Sequence, residues 1–341
     1  MTKGRKVLVY LTGFAIGCAI LMMMPREDRA GKRHPWHDQT APEGTYPLEV
    51  VDDLGRTVRF EKQPRHFISL APSLTEILFA MEMGDHLMAV TQWCRHPAEA
   101  NALRQAGAQV GRIDQPDLEM ITAYRPDLIL GTSLTAPETY RRLDSPPRTV
   151  SLVLNQTGMD DIIRDVQTVG IATGVPDRAH RLIKKLRGEK QAVESRLAPH
   201  TTGPPRKVLF LLSIQNLNRP GWAPGRGTYL DGLITAAHAE NVTAEIGSEW
   251  GEVSLEALLL LNPEVILLRE GESPEEQRRM EETVASLADH PVWSQVEAVR
   301  NQRLHWIPNG PVSIPGPRVT EAYAHIAEAI WQLEPITPAT D

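Results

Sequence analysis

Six side chains in this sequence have the types needed to hold a flat or anionic organic molecule: Trp93, Arg95, Trp222, Arg226, Tyr229 and Arg318. Aromatic rings offer large rigid faces at small entropic cost, and arginine forks pair with carboxylate, phosphate or catecholate oxygens. That is the chemistry of binding rather than of bond making. The sequence contains no GxSxG nucleophile elbow, no HExxH zinc helix and no GxxxxGK[ST] phosphate loop. Cys94 has only Cys18 as a second cysteine and is expected to be a small buried hydrophobe. His66, His86, His96, His238 and His305 are scattered without a short ligand spacing, so neither a metal centre nor a cofactor is expected.

The six residues fall where loops should leave strands. Short apolar runs end at Leu70, Thr91, Leu130, Leu212, Leu268 and Ile307, and helical patterns separate them. Such alternation implies mainly parallel sheets, whose ligand crevices lie at the carboxyl ends of the strands. Trp93 and Arg95 follow Thr91. Trp222, Arg226 and Tyr229 occupy a loop rich in Asn, Pro, Gly and Arg after Leu212, and Arg318 closes the Pro/Gly-rich loop 311–318 after Ile307. A helix is expected over 74–83, after a turn at Ala71, Pro72 and Ser73, and a hairpin over 46–60 around Asp53, Leu54, Gly55 and Arg56.

Two stretches of the chain repeat each other. Leu118, Glu119, Pro126, Ile129 and Leu130 recur as Leu255, Glu256, Pro263, Ile266 and Leu267, all at one constant offset. In each copy a capping residue, Asp117 or Ser254, opens a short helix, and a proline leads into a buried strand. Between the copies, Leu182, Ile183, Leu186, Val193 and Leu197 form one apolar stripe in a run that Pro176 starts and Pro199 stops. A helix of that length spans roughly 30 Å, enough to bridge two lobes. The expected fold is therefore α/β, with two Rossmann-like lobes of mainly parallel sheet joined by one long interdomain helix.

A chain of 341 residues with 41% hydrophobic side chains can build two cores, and a net charge of −7 without a basic stripe argues against nucleic acid. At the amino terminus Lys3, Arg5 and Lys6 precede an uncharged run over 7–24 that is long enough to enter a bilayer. Within it Ala15-Ile16-Gly17-Cys18 has the small residue before cysteine that a lipidating peptidase requires. Retention as an anchor, lipidation of Cys18 and ordinary cleavage all remain open, and each exports the rest of the chain. Residues 1–24 are thus expected to be signal or anchor and 25–45 a flexible tether poor in aliphatic residues. Residues 46–157 form the first lobe with its leading hairpin, 158–202 the connecting helices with the spine, and 203–338 the second lobe.

With these segments in place, the chain resembles the vitamin B12 and ferric-siderophore substrate-binding proteins of bacterial ABC importers. The likeness is carried by Arg65 to Glu76, RHFISLAPSLTE, by Gly84-Asp85 and Val90-Thr91, by 116–130 and 255–267, and by Pro315-Gly316-Pro317-Arg318. It implies a ligand held between two lobes that close little, and a partner permease whose ATPase subunits are separate chains. It also implies one surface glutamate per lobe that meets permease arginines, here Glu76 and Glu256. Local physics gives both a second explanation: Ser73-x-x-Glu76 reads as a capping box, and Glu256 sits in a first helical turn that favours an anion. Glu119 occupies the repeat position of Glu256. The Trp93 loop together with the Pro-Gly-Pro-Arg318 ending is most similar to the corrinoid-binding branch. Arg95, Arg112, Arg219, Arg226 and Arg318 suit a ferric siderophore or haem equally well. A membrane-anchored ligand sensor shares all of these features, and an exported enzyme is the remote alternative.

Overall fold

The computed structural model of the chain describes residues 46–334. The expected anchor, Cys18, the tether and residues 335–338 lie outside them. Among the described residues no helix is long and apolar enough to cross a membrane. The chain enters through an antiparallel hairpin, β1 (Leu48–Val51) and β2 (Thr57–Phe60). Its turn is set by the Asp52 carboxylate, which accepts from the backbone N–H groups of Leu54 and Arg56, and by Gly55 at φ 75°.

The first lobe runs β3 (Phe67–Ser69), α1 (Pro72–Ala80), β4 (Leu87–Val90), α2 (Ala98–Gln105), α3 (Leu118–Tyr124), β5 (Leu128–Gly131), α4 (Pro137–Leu143) and β6 (Val150–Val153). Two packed helices, α5 (Met159–Thr173) and α6 (Pro176–Leu197), lead to the second lobe. That lobe runs β7 (Arg206–Leu211), β8 (Gly221–Pro224), α7 (Tyr229–Ala236), β9 (Ala239–Asn241), β10 (Trp250–Val253), α8 (Leu255–Leu261), β11 (Val265–Arg269) and α9 (Pro274–Ala285). It closes with α10 (Glu297–Arg300), β12 (Leu304–Ile307), α11 (Asn309–Ser313) and α12 (Val319–Trp331).

Each lobe holds a four-stranded parallel sheet, in the order β4-β3-β5-β6 in the first and β9-β7-β11-β12 in the second. Counted within its own lobe, each sheet has the same order, second-first-third-fourth. The repeat seen in the sequence is thus a repeat of topology. It extends to the helix ends: Asp117 caps α3 by accepting from Met120, Ser254 caps α8 by accepting from Ala257, and the helices stop at left-handed Arg125 and Asn262. Both sheets are buried on two faces, as period-two alternation shows. Leu128 and Leu130 enter one core and Ile129 another; Val208 and Phe210 enter one core, Leu209 and Leu211 another.

The long helix α6 covers the expected residues and divides its stripe between the lobes. Ala179, Leu182, Ile183 and Leu186 pack into the core of the first lobe, whereas Val193 and Leu197 pack into the second. Helix α5 does the same in the opposite order, with Met159 and Ile162 in the second core and Ile163, Val166, Val169 and Ala172 in the first. Full burial of a large aliphatic side chain contributes about 1.5–3 kcal/mol. Bending the lobes apart would therefore have to pull these stripes from both cores. On the second lobe the spine is also tied by Thr320 Oγ1 donating to Glu189 at 2.6 Å and by the ion pair of Arg196 with Glu328 at 3.0 Å.

Several elements depart from the sequence-based expectation. Helix α1 starts at Pro72, so what was expected as a turn is its first position, where a proline's fixed φ suits the helix. The stretch expected as a loop after Leu212 contains β8, which pairs antiparallel with β10, Trp222 opposite Glu252. Short strands of this kind, with small or polar residues between, carry too little alternation to be seen in a single sequence.

Candidate functional site

The two lobes meet where the carboxyl ends of their sheets meet. The segment from Pro315 to Arg318 follows β12 and α11, and Gly316 lies so close to α1 that a Cβ there would be 3.4 Å from both Ser73 Cα and Glu76 Oε2. Helix α1 in turn follows β3 directly. Beside this contact the Arg318 guanidinium takes Glu76 in a two-pronged grip, Nε to Oε2 at 2.9 Å and Nη2 to Oε1 at 2.6 Å. The side chains are 18% and 4% exposed, so this ion pair between lobes joins a half-buried arginine to a buried glutamate. Burial pushes the Glu76 carboxyl up from its ordinary range, and Arg318 pulls against that shift. His96 stands near enough for burial and the Arg318 charge to lower its pKa. Deeper in the seam, Ser73 Oγ donates to Gln156 at 3.0 Å, and Gln156 Nε2 donates to the fully buried Asp165 at 2.5 Å. Burial holds Asp165 well above the usual carboxylate range, with Asp53 adding to the shift.

This geometry corrects two expectations. Glu76 is not a surface residue, and Ser73 and Glu76 do not form a capping box: the residue before α1 is Ala71, with no side-chain cap, and both polar groups are spent elsewhere. Arg318 likewise is engaged by Glu76. Glu256, by contrast, is fully exposed in the first turn of α8. Hydrogen bonds from its own backbone N–H and from the Ser254 hydroxyl hold its carboxyl below the ordinary range. Its repeat partner in the first lobe is Glu119, exposed in the first turn of α3.

Among the expected ligand contacts, Trp93 and Trp222 are half-buried, and among the described residues neither is part of a hydrophobic core. Trp93 lies in the loop after β4 with Arg95 over its ring at 5.6 Å. Trp222 sits on β8, where its backbone carbonyl accepts from Leu212 N–H at the end of β7. Tyr229 is different. It opens α7 and is buried in the core of the second lobe, because the first residue of that helix turns inward behind its Thr228 cap. Arg226 is exposed and ion-paired with Glu245, Arg219 with Glu252 at 2.9 Å and Arg112 with Asp114 at 2.9 Å.

Two residues that the sequence reading passed over stand at the points where strand order reverses, between β3 and β5 and between β7 and β11, which is where open α/β sheets form their crevices. Leu134, in the loop after β5, is 37% exposed although apolar, and the loop is held by Asn155 accepting from Ser133 N–H at 2.8 Å. Arg269 ends β11 and is buried. A charge closing the apolar run Val265-Ile266-Leu267-Leu268 is the one sequence signal that could have drawn attention to it.

Comparison with known proteins gives three kinds of match. A family model described as periplasmic binding protein matches residues 68–310. The uncharacterized ABC transporter substrate-binding lipoprotein YvrC of Bacillus subtilis is 23% identical over 289 residues, 84% of this chain and 86% of the relative. A vitamin B12-binding protein of Pectobacterium atrosepticum is 31% identical over 211 residues, 60% of this chain and 71% of the relative. The solved periplasmic heme-binding protein RhuT from Roseiflexus sp. superposes with a TM-score of 0.65 at 24% identity, covering 79% of this chain and 98% of that one, a likeness of fold.

Proposed function

The chain belongs to the family of periplasmic binding proteins, and from that premise we propose that it is the solute-binding component of an ABC importer, capturing a corrinoid between its lobes for delivery to a membrane permease. The observation that carries the ligand class is the state of the arginines. Arg112, Arg219, Arg226 and Arg318 are each paired with a carboxylate, and Arg95 lies over Trp93. Arginines paired in this way have little uncompensated positive charge to give to an anionic ferric chelate or to haem propionates. A corrin ring, broad, flat and edged by neutral amides, asks instead for aromatic faces and dipoles, and Trp93 and Trp222 supply two faces, one from each lobe. The vitamin B12-binding relative supports the same reading. A ferric siderophore or haem is the alternative, and it would draw on the exposed Arg95 or require one of these ion pairs to open.

Permease docking we assign to Glu119 and Glu256, because they are the exposed, repeat-related pair and Glu76 is buried in the seam. The protein is placed outside the cytoplasm and held at a membrane by residues 7–24 or by a lipid on Cys18, a reading that the lipoprotein name of the Bacillus relative supports. The ligand is tested by titrating the protein with cyanocobalamin, haemin and several ferric siderophores while following tryptophan emission and heat. Cyanocobalamin is expected to quench emission, and Trp93→Phe with Trp222→Phe to abolish most of the quenching. Binding of a ferric chelate or haemin with no response to any corrinoid would replace the corrinoid and leave the family standing.

A further inference from the structure

We propose that Arg269, buried at the carboxyl end of β11, is the positioning residue for Trp222 and so for the ligand-facing wall of the second lobe. The inference deepens the reading that Trp222 contacts the ligand and rests on it for its functional meaning, but not for its geometry. Arg269 is 5% exposed, an unusual burial for a guanidinium, and its donors point to three different loops. Nε donates to the Leu212 carbonyl at 2.8 Å. Nη1 donates to Asn309 Oδ1 at 2.9 Å and lies 3.4 Å from Glu272 Oε1. Those acceptors belong to the chain leaving β7, to the start of α11 after β12, and to the loop after β11 itself. One side chain therefore ties together the carboxyl-end loops of three adjacent parallel strands.

The link to Trp222 is one residue long. The Leu212 carbonyl accepts from Arg269, and the Leu212 N–H donates to the Trp222 carbonyl at 2.9 Å. The two backbones press together just there. Gly221 has φ 122°, and a Cβ on it would collide with the Ser213 carbonyl oxygen. Trp222 is thus placed both by its pairing with Glu252 on β10 and by the segment at Leu212 and Ser213, and the buried fork of Arg269 holds that segment. Arginine suits the task because its planar donors keep fixed directions; lysine would reach one acceptor and leave the others unpaired, and a buried acceptor without a donor is costly. Asn309 lies on the other prong, so its removal should loosen the α11 loop without releasing Trp222.

The test uses the full-length chain in detergent, labelled with 5-fluorotryptophan, with the Trp222 resonance assigned from Trp222→Phe. Arg269→Met should shift or broaden that resonance and weaken cyanocobalamin binding by tenfold or more, with Arg269→Lys intermediate. Asn309→Ala should leave the Trp222 resonance where it was. In a Trp222→Ala background, Arg269→Met should no longer change the affinity. An unmoved Trp222 resonance in both Arg269 variants overturns the proposal, as does a loss of affinity that persists undiminished in the Trp222→Ala background. Should the unsubstituted protein fail to bind cyanocobalamin, the ligand reading falls while the fluorine spectra still decide the positioning role. If Arg269→Met does not fold, the lysine variant decides it.

Discussion

At the scale of single residues the seam is organised by a pair that sits 242 positions apart in the chain, Glu76 and Arg318. Burying both charges costs several kcal/mol for each ion before their attraction is counted, so the pair stabilises the lobe contact only while both members are present. Glu76→Gln alone is expected to lower unfolding free energy by about 1–3 kcal/mol, because it leaves the half-buried Arg318 without its counter-charge. Glu76→Gln with Arg318→Gln should cost less than the two single changes added together, which urea denaturation of all four proteins would measure. Additive losses would show that the two groups do not cooperate. The sequence presented both residues as candidates for other tasks, Glu76 for docking and Arg318 for the ligand. Residue type and local position could show that each carried a charge near a strand end. They could not show that the two charges neutralise one another, since nothing local in a sequence reports a partner from the other lobe. The burial of Tyr229 is illegible for a related reason: an aromatic residue at the first position of a helix looks alike in sequence whether it faces solvent or core.

At the scale of elements the spine was the most legible feature, because a stripe repeated over several turns leaves a strong periodic signal that a proline at the start makes sharper. The paired sheets were legible too, through the repeat of cap, helix, proline and strand. Helices α2, α4 and α9 and the β8–β10 ribbon were not, being short or mostly polar. What the sequence could not tell was how the spine's stripe would be shared. Gly188 lies between its two halves, on an exposed face, and a Cβ there would meet no atom within 4 Å. A glycine in mid-helix costs about 0.5–1 kcal/mol relative to alanine. If the spine works as a rigid strut, Gly188→Ala should stabilise the protein by about that amount and leave ligand affinity unchanged. A clear change in affinity, with the same gain in stability, would mean instead that ligand capture needs the spine to bend at Gly188.

At the scale of the whole molecule the internal repeat places the same device on each lobe: a short capped helix whose first turn presents a glutamate to solvent. Around Glu119 lies Met120, and near Glu256 lie Leu259 and Leu260, the last 86% exposed. Exposed apolar side chains beside a charge are a contact surface in waiting, and the proposed importer offers one partner that must touch both lobes at once. A carboxylate that meets a permease arginine there would be worth most in the bound state, because deleting it leaves the arginine desolvated without a partner. Glu119→Ala with Glu256→Ala is therefore expected to leave cyanocobalamin affinity unchanged, to alter stability little and to reduce uptake strongly in cells that carry the importer. Arginine at both positions should transport worse than alanine, since repulsion is added to the lost attraction. The Glu76→Gln variant serves as the contrast, as it weakens the fold without touching this surface, so its uptake should follow the amount of folded protein. Normal uptake by the double alanine variant at equal abundance would move the docking surface off these two helices and leave their glutamates as anions that merely suit a helix start.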